Sequence, residues 1–324
     1  VKPSEYTSFL TTAMVKEIIN SGILPEGSLQ IIPGLGRGIL DHVDHRDVVT
    51  FTGSAATGKI LKSHPNILAH SVPFNMEADS LNACVLGKDA VPGTAEFDLF
   101  VKEVHKEMTV KTGQKCTAVR RVLVPENTID KVQEALISRL GKTAIGNPEN
   151  KEVRMGALAT KIQVERVKEN VELLMKSQEK VYGSLEKIPL IDAQFEKGCF
   201  FSPILFRNEK PFLKDDVHHV EAFGPVSTLI PYKDMEEAVA IVEMGKGSLV
   251  TSIVTNDDEI AKTFVTEAAH MNGRILVLNE RCAKESTGHG SPMPLLTHGG
   301  PGRAGGGEEM GGTRGIKHYL QRTA

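Results

Sequence analysis

Two residues in this sequence have the right type and setting to do covalent chemistry. Cys116 stands in MTVKTGQKCTAVRRVLV (residues 108–124), after Gly-Gln-Lys and ahead of an apolar β-branched run. A thiol on a turn beside a strand end is positioned to meet substrate. Taken alone, the same cysteine reads more simply as a small buried hydrophobe. Gly113, three residues earlier, predicts a backbone bend or a close approach to a ligand. Glu77, in PFNMEADSLN, lies between apolar strands, where a carboxylate needs a task or a partner. Burial there would raise its proton affinity toward that of a working base, and an ion pair or a hydrated strand end is the plainer alternative.

Two other stretches could bind rather than react. FTGSAATG sets Gly53 and Ser54 after a strand, with Gly58 inside the first turn of a helix. Helix amides and the missing side chains favour phosphate there, although Ser54 could equally be a plain helix cap. EAFGPV sets Glu221 and Phe223 before Gly-Pro, a pair able to hold a ribose and a planar ring or simply to form a surface turn. The eleven histidines offer no convincing metal set. His218 and His219 are adjacent, His289 and His298 fall in loops, and all read as structural or solvated, so no metal is assigned.

These residues need an α/β scaffold. Residues Thr7–Ser21 have helical apolar spacing (Phe9, Met14, Val15, Ile18, Ile19) that stops at Gly22. Ser28–Pro33 reads as a short strand, DVVTFTGS as another, AATGKILKS as a helix and FNMEADSLNACVLG as strand, turn, strand. This alternation predicts a parallel sheet. Val119–Val124, VSTLIPY, LVTSIVTN and RILVLNE follow as strands. Helices are expected over Ile129–Leu140, Ile162–Ser177, Met235–Met244 and Ile260–His270. KSQEKVYGSLEK reads as a solvated helix end and loop. The tail HGGPGRAGGGEEMGG has eight glycines in fifteen residues. It is either a flexible linker or, because IKHYLQRTA behind it has strand-like alternation, an ordered strap hugging a ligand or another domain.

The 324 residues suffice for two domains, and 24 % charged with 40 % apolar residues is an ordinary globular balance. A formal net charge of −3 gives no reason to expect nucleic acid as a partner. No apolar run reaches the ~20 residues of a membrane span. Four cysteines without a CxxC pair fit a reducing cytoplasm. The first residue is Val1 rather than methionine, which suggests a fragment or a processed chain.

Taken in order, KPSE, FTGSAATG, MEADSLN, GQKC, EAFGPV, GRILVLN and HGGPGRAGGGEEMGG resemble the motifs of aldehyde dehydrogenases from Lys2 to the last residue. VVTFTGSAATG, GQKCTAVRR and AKESTGHGSP are most similar to the branch that oxidises CoA-linked semialdehydes in aromatic-acid (phenylacetate) degradation. The resemblance implies an aldehyde dehydrogenase α/β fold: residues 1–77 as part of a Rossmann-type cofactor domain, 78–297 as catalytic domain, and 298–324 as a glycine-rich return with an oligomerisation strand. It implies Cys116 as nucleophile and Glu77 as general base. Lys2 and Glu5 would hold the adenosine ribose, Gly53 and Ser54 the pyrophosphate, and Glu221 and Phe223 the nicotinamide side. The cofactor would be NAD or NADP, the substrate a small aldehyde, and the assembly a dimer or higher even-numbered homo-oligomer. The family's module begins well before KPSE, with an asparagine for the oxyanion, so this chain is expected to lack the first third; in the phenylacetate branch a hydratase domain follows. Two rivals stay open: an inactive fragment kept for interaction, and a cysteine acyl hydrolase, which needs a histidine aimed at Cys116.

Overall fold

The computed structural model describes residues 5–34, 36–293 and 296–309, with the side chains of residues 5 and 6 left aside. Helix α1 (Glu5–Asn20) is followed by irregular chain and then by β1 (Val49–Thr52), α2 (Ala55–Lys62), α3 (Pro65–Ala69) and β2 (Phe74–Glu77). β1 and β2 pair in parallel, with Thr52 opposite Glu77, so both strands deliver their C-terminal ends to one edge. The helical pattern of residues 7–21 holds. Its apolar stripe, however, faces solvent: Phe9 is 84 % and Met14 57 % exposed. The strand expected over residues 28–33 is absent, because that segment has no ladder partner among the described residues. Apolar letters alone do not make a strand without hydrogen-bonding neighbours.

Past Glu77 the chain enters a seven-stranded sheet. Its strands are β3 (Ala83–Leu86), β4 (Arg121–Pro125), β5 (Glu179–Tyr182), β6 (Ile204–Arg207), β7 (Val226–Tyr232), β8 (Ser248–Val254) and β9 (Asn272–Leu278), in the order β5-β6-β7-β4-β3-β8-β9. All neighbours are parallel except β5, which runs against β6 at the edge. The period of two along β3 and β4 divides the core. Cys84, Leu86, Val122 and Val124 meet α4 (Ala95–Thr109) and α5 (Ile129–Gly141) on one face. Ala83, Val85 and Leu123 meet α7 (Met235–Glu243) and α8 (Asp258–Ala268) on the other. A third cluster packs α6 (Lys161–Leu174) near β6.

Two elements depart from the sequence expectation. KSQEKVYGSLEK contains the edge strand β5 rather than only a helix end and loop. Its partly exposed, polar residues suit an edge and hide the strand from a search for apolar alternation. Helix α4 was not anticipated at all, although Thr94 caps it by accepting from the Phe97 amide at 3.2 Å. Phe97, Phe100, Val101, Val104 and Met108 recur at helical spacing, but the carboxylates between them obscure the face.

The glycine-rich tail is ordered over its described part, with β10 (His298–Gly299) antiparallel to β11 (Glu308–Glu309). It straps the two sheets together. Arg303 N donates to Lys246 O at 2.8 Å beside β8, while Ala78 N donates to Ala304 O and Gly307 N to Met76 O at 2.9 Å each on the β2 side. Gly305 has φ +106°, and a Cβ there would collide with the Met76 carbonyl, so this passage admits no larger residue. The segment IKHYLQRTA lies outside the described residues.

Candidate active site

Cys116 does not sit in its strand; it precedes β4 on a tight turn. Lys111 and Thr112 take φ 53° and Gly113 φ 67°, three successive left-handed residues that reverse the chain after α4. A Cβ on Gly113 would strike the Gly224 carbonyl. The close approach foreseen at Gly113 is therefore to the chain's own backbone rather than to a ligand. Asn82, at the start of β3, donates through Nδ2 to the Cys116 and Ala118 carbonyls at 2.8 and 3.1 Å and fixes the turn from below.

Arg120 ties this turn to the EAFGPV loop. Its guanidinium donates to Gly224 O at 2.6 Å and Gly113 O at 2.9 Å, pairs with Glu221 Oε1 at 3.3 Å, and lies 5.6 Å from the Phe223 ring centre. Gln114 adds a bond from Nε2 to Phe223 O at 3.2 Å. The Glu221 side chain is only 6 % exposed. Burial raises its carboxyl to about 7, against the pull of Arg120.

Glu77 ends β2 and is 3 % exposed. Its Oε1 lies 3.1 Å from His298 Nε2, and that same nitrogen lies 3.7 Å from Cys116 Sγ. All three donor atoms fall within 4.8 Å of one another. The thiol is pushed up to about 12, by burial first and then by the carboxylates of Glu77, Glu309 and Glu221. At neutral pH the resting group is therefore a protonated thiol. Arg274 on β9 completes the cluster, its Nη1 3.1 Å from His298 Nδ1.

His298 thus corrects the expectation for the histidines: it belongs to β10 and bridges the two candidate catalytic groups. His289, His218 and His219 fit a structural or solvated role. His289 is buried against Ser252 Oγ at 2.6 Å, His218 faces the buried Arg121 at 3.2 Å, and His219 pairs with Asp215 on the surface at 3.0 Å. His298 went unrecognised because 182 residues separate it from Cys116. The only signal was a polar ring opening the glycine run. Arg274 and Asn82 were inside quoted motifs but carried no assigned role.

The candidate binding residues divide. Gly53 and Ser54 are exposed and open α2 at the same sheet edge as Glu77. Ser54 does cap that helix, its Oγ accepting from Thr57 N at 3.2 Å, and Asp79 Oδ1 accepts from Ala55 N at 3.1 Å. Glu5 is the first residue of α1, and Lys2 lies outside the described residues.

The Aldehyde dehydrogenase family model matches residues 1–324. The chain is 43 % identical over 300 residues to a 3,4-dehydroadipyl-CoA semialdehyde dehydrogenase of Aromatoleum evansii, covering 93 % of this chain and 58 % of that protein. It is 47 % identical over 171 residues to Protein MaoC of Klebsiella aerogenes, covering 52 % of this chain and 49 % of that one. Among solved structures, betaine aldehyde dehydrogenase of Staphylococcus aureus in complex with NAD+ matches with a TM-score of 0.82 at 23 % identity, over 96 % of this chain and 58 % of its own. That likeness establishes the fold, and the chain spans between 49 % and 58 % of the length of these relatives. The chain belongs to the aldehyde dehydrogenase family.

Proposed function

We propose that this chain carries the catalytic machinery of an NAD(P)-dependent dehydrogenase that oxidises a CoA-linked semialdehyde to its acid through a thioester on Cys116. The observation that carries the reading is the meeting of Cys116 Sγ and the Glu77 carboxylate within 4.8 Å, with His298 beside both. The 43 % identity to a CoA-semialdehyde dehydrogenase of aromatic degradation supports the substrate class. In this reading Glu77 takes the thiol proton, the sulfur adds to the aldehyde carbon, Glu77 passes that proton to solvent, and the regenerated carboxylate then draws a proton from the water that cleaves the thioester. When bound, the nicotinamide accepts hydride from the thiohemiacetal carbon.

The residues fit such a cofactor. The exposed Gly53–Ser54 turn opens α2 at the C-terminal edge of the β1–β2 pair, where dinucleotide folds hold pyrophosphate. Glu221 and Phe223 stand on the loop that Arg120 locks to the Cys116 turn, and Lys2 and Glu5 would hold the ribose. The acyl hydrolase reading gains one observation, the 3.7 Å approach of His298 to the sulfur. The two readings separate in one assay on the full-length gene product. NAD(P)H formed with a CoA-linked semialdehyde supports the dehydrogenase, whereas CoA or acid release without reduction of the nucleotide overturns it.

Two predictions follow from the binding residues. A carboxylate at Glu5 would face the 2′-phosphate of NADP, and a like charge at that range costs on the order of 1 kcal/mol or more. Glu5→Thr is therefore expected to raise the NADP-to-NAD ratio of kcat/KM by roughly tenfold. A wild type that already prefers NADP, with no change in the variant, would place Glu5 away from the ribose. The assembly is read as an even-numbered homo-oligomer joined through the segment IKHYLQRTA, whose alternating letters suit pairing between chains. Removing Thr313–Ala324 should give a monomer by light scattering, and retention of the wild-type mass would show that the joint lies elsewhere.

A further inference from the structure

We propose that His298 is a hydrogen-bond donor, locked in the Nε2–H form by Arg274, that follows the negative charge as it passes between Glu77 and Cys116. A guanidinium has only donors, so the 3.1 Å contact between Arg274 Nη1 and His298 Nδ1 makes Nδ1 the acceptor. Arg274 Nη2 is itself anchored on the His289 carbonyl at 3.0 Å, so the guanidinium is held in that orientation. The ring proton of neutral His298 then sits on Nε2, the nitrogen 3.1 Å from Glu77 Oε1 and 3.7 Å from Cys116 Sγ. One N–H is shared by two acceptors, of which only one is fully charged at a time.

The proton balance is simple. The S–H bond of Cys116 breaks, an O–H bond forms on Glu77, and the Nε2–H stays on the imidazole while its hydrogen bond moves from carboxylate to thiolate. A charge-assisted bond is about twice as strong as a neutral one, so the donor lowers the cost of thiolate formation where the charge arrives. This matters because the thiolate is opposed by burial and by the carboxylates of Glu77, Glu309 and Glu221, with Arg120 and Arg274 as the cations on its side. The same tautomer leaves Nε2 without a lone pair. His298 is then neither the base of a cysteine–histidine hydrolase nor, as it stands, a ligand for a metal ion between the three groups. His298 is a positioning residue acting on the nucleophile, and the proposal rests on the reading of Cys116 as that nucleophile.

The test measures the thiol itself and needs neither aldehyde nor cofactor, so it fails or succeeds independently of the dehydrogenase assay. In the full-length gene product, the rate of Cys116 alkylation by iodoacetamide at pH 8 is followed by peptide mass spectrometry, with the half-buried Cys199 and Cys282 as internal controls. His298→Leu should slow Cys116 about tenfold. His298→Gln, whose amide nitrogen reaches the Nε2 position, should return the rate to within about threefold of wild type. An unchanged rate in His298→Leu with unchanged controls overturns the proposal, as does failure of His298→Gln to recover while the controls hold. Should both variants perturb the controls, long-range 15N–1H spectra of histidine-labelled wild type decide. Nε2–H at His298 supports the proposal, and Nδ1–H ends it.

Discussion

Cys116→Ala is expected to reduce aldehyde-dependent NAD(P)H formation by roughly 10⁴-fold or more, the scale of losing a covalent nucleophile. No other thiol of this chain can substitute. Cys84 is fully buried within the core beneath α4, and Cys199 and Cys282 are absent from the cluster that joins Cys116 to Glu77 and His298. The substitution should spare the fold, because the turn is held through backbone groups by Asn82 and Arg120 rather than through the sulfur. Melting temperature and equilibrium binding of NAD(P)H therefore serve as controls and should stay close to wild type. Turnover retained within tenfold would show that the thioester route is wrong.

Glu77→Gln should separate the two halves of the reaction. The amide keeps the size of the carboxylate in a site that is 3 % exposed, but it cannot take a proton from water. General-base loss is worth typically 10²–10⁴-fold. The first thiolate can still form, slowly, with solvent as proton acceptor, whereas the water attacking a buried thioester loses the one carboxylate that falls within 4.8 Å of Cys116 together with His298. Mixing the variant with aldehyde and oxidised cofactor should give one equivalent of NAD(P)H and one acyl group on Cys116, visible by intact-protein mass spectrometry, followed by steady turnover at least a hundredfold below wild type. Unchanged turnover without an adduct argues against any role for Glu77. Lost turnover without an adduct moves its role to the first proton transfer alone.

Cys116 and Glu77 were legible because each lies in a short motif whose neighbours also build its local structure. Gly113 turns the chain and MEADSLN supplies both the carboxylate and the asparagine beneath the turn. The parallel α/β layout was legible for a related reason, since β3, β4, β7 and β8 are buried, largely apolar runs. His298 and Arg274 were not, because their meaning arises only when the tail strap lays β10 against β9 and the end of β2. No periodicity in the letters encodes a contact across 221 residues. Residues 28–33 show the opposite error, an apolar run read as a strand where the fold provides no neighbouring strand. Gly53 and Ser54 stay intermediate, for a helix cap and an anion site call for the same two residues.

The strap also sets an order of assembly. Its contacts with β2 close loops of more than two hundred residues, such as Asn75 with Glu308 at a separation of 233. Closing a long loop costs little more than closing a moderately long one, but such contacts form late, after local and sheet contacts are in place. During synthesis the seven-stranded sheet is complete once β9 has emerged, while β10 and β11 are still unmade or undocked. Until then the thiol and the carboxylate lack the imidazole that joins them and the arginine that orients it. His298, translated after the sheet, thus joins Cys116 and Glu77 only once the strands that carry the turn are already made.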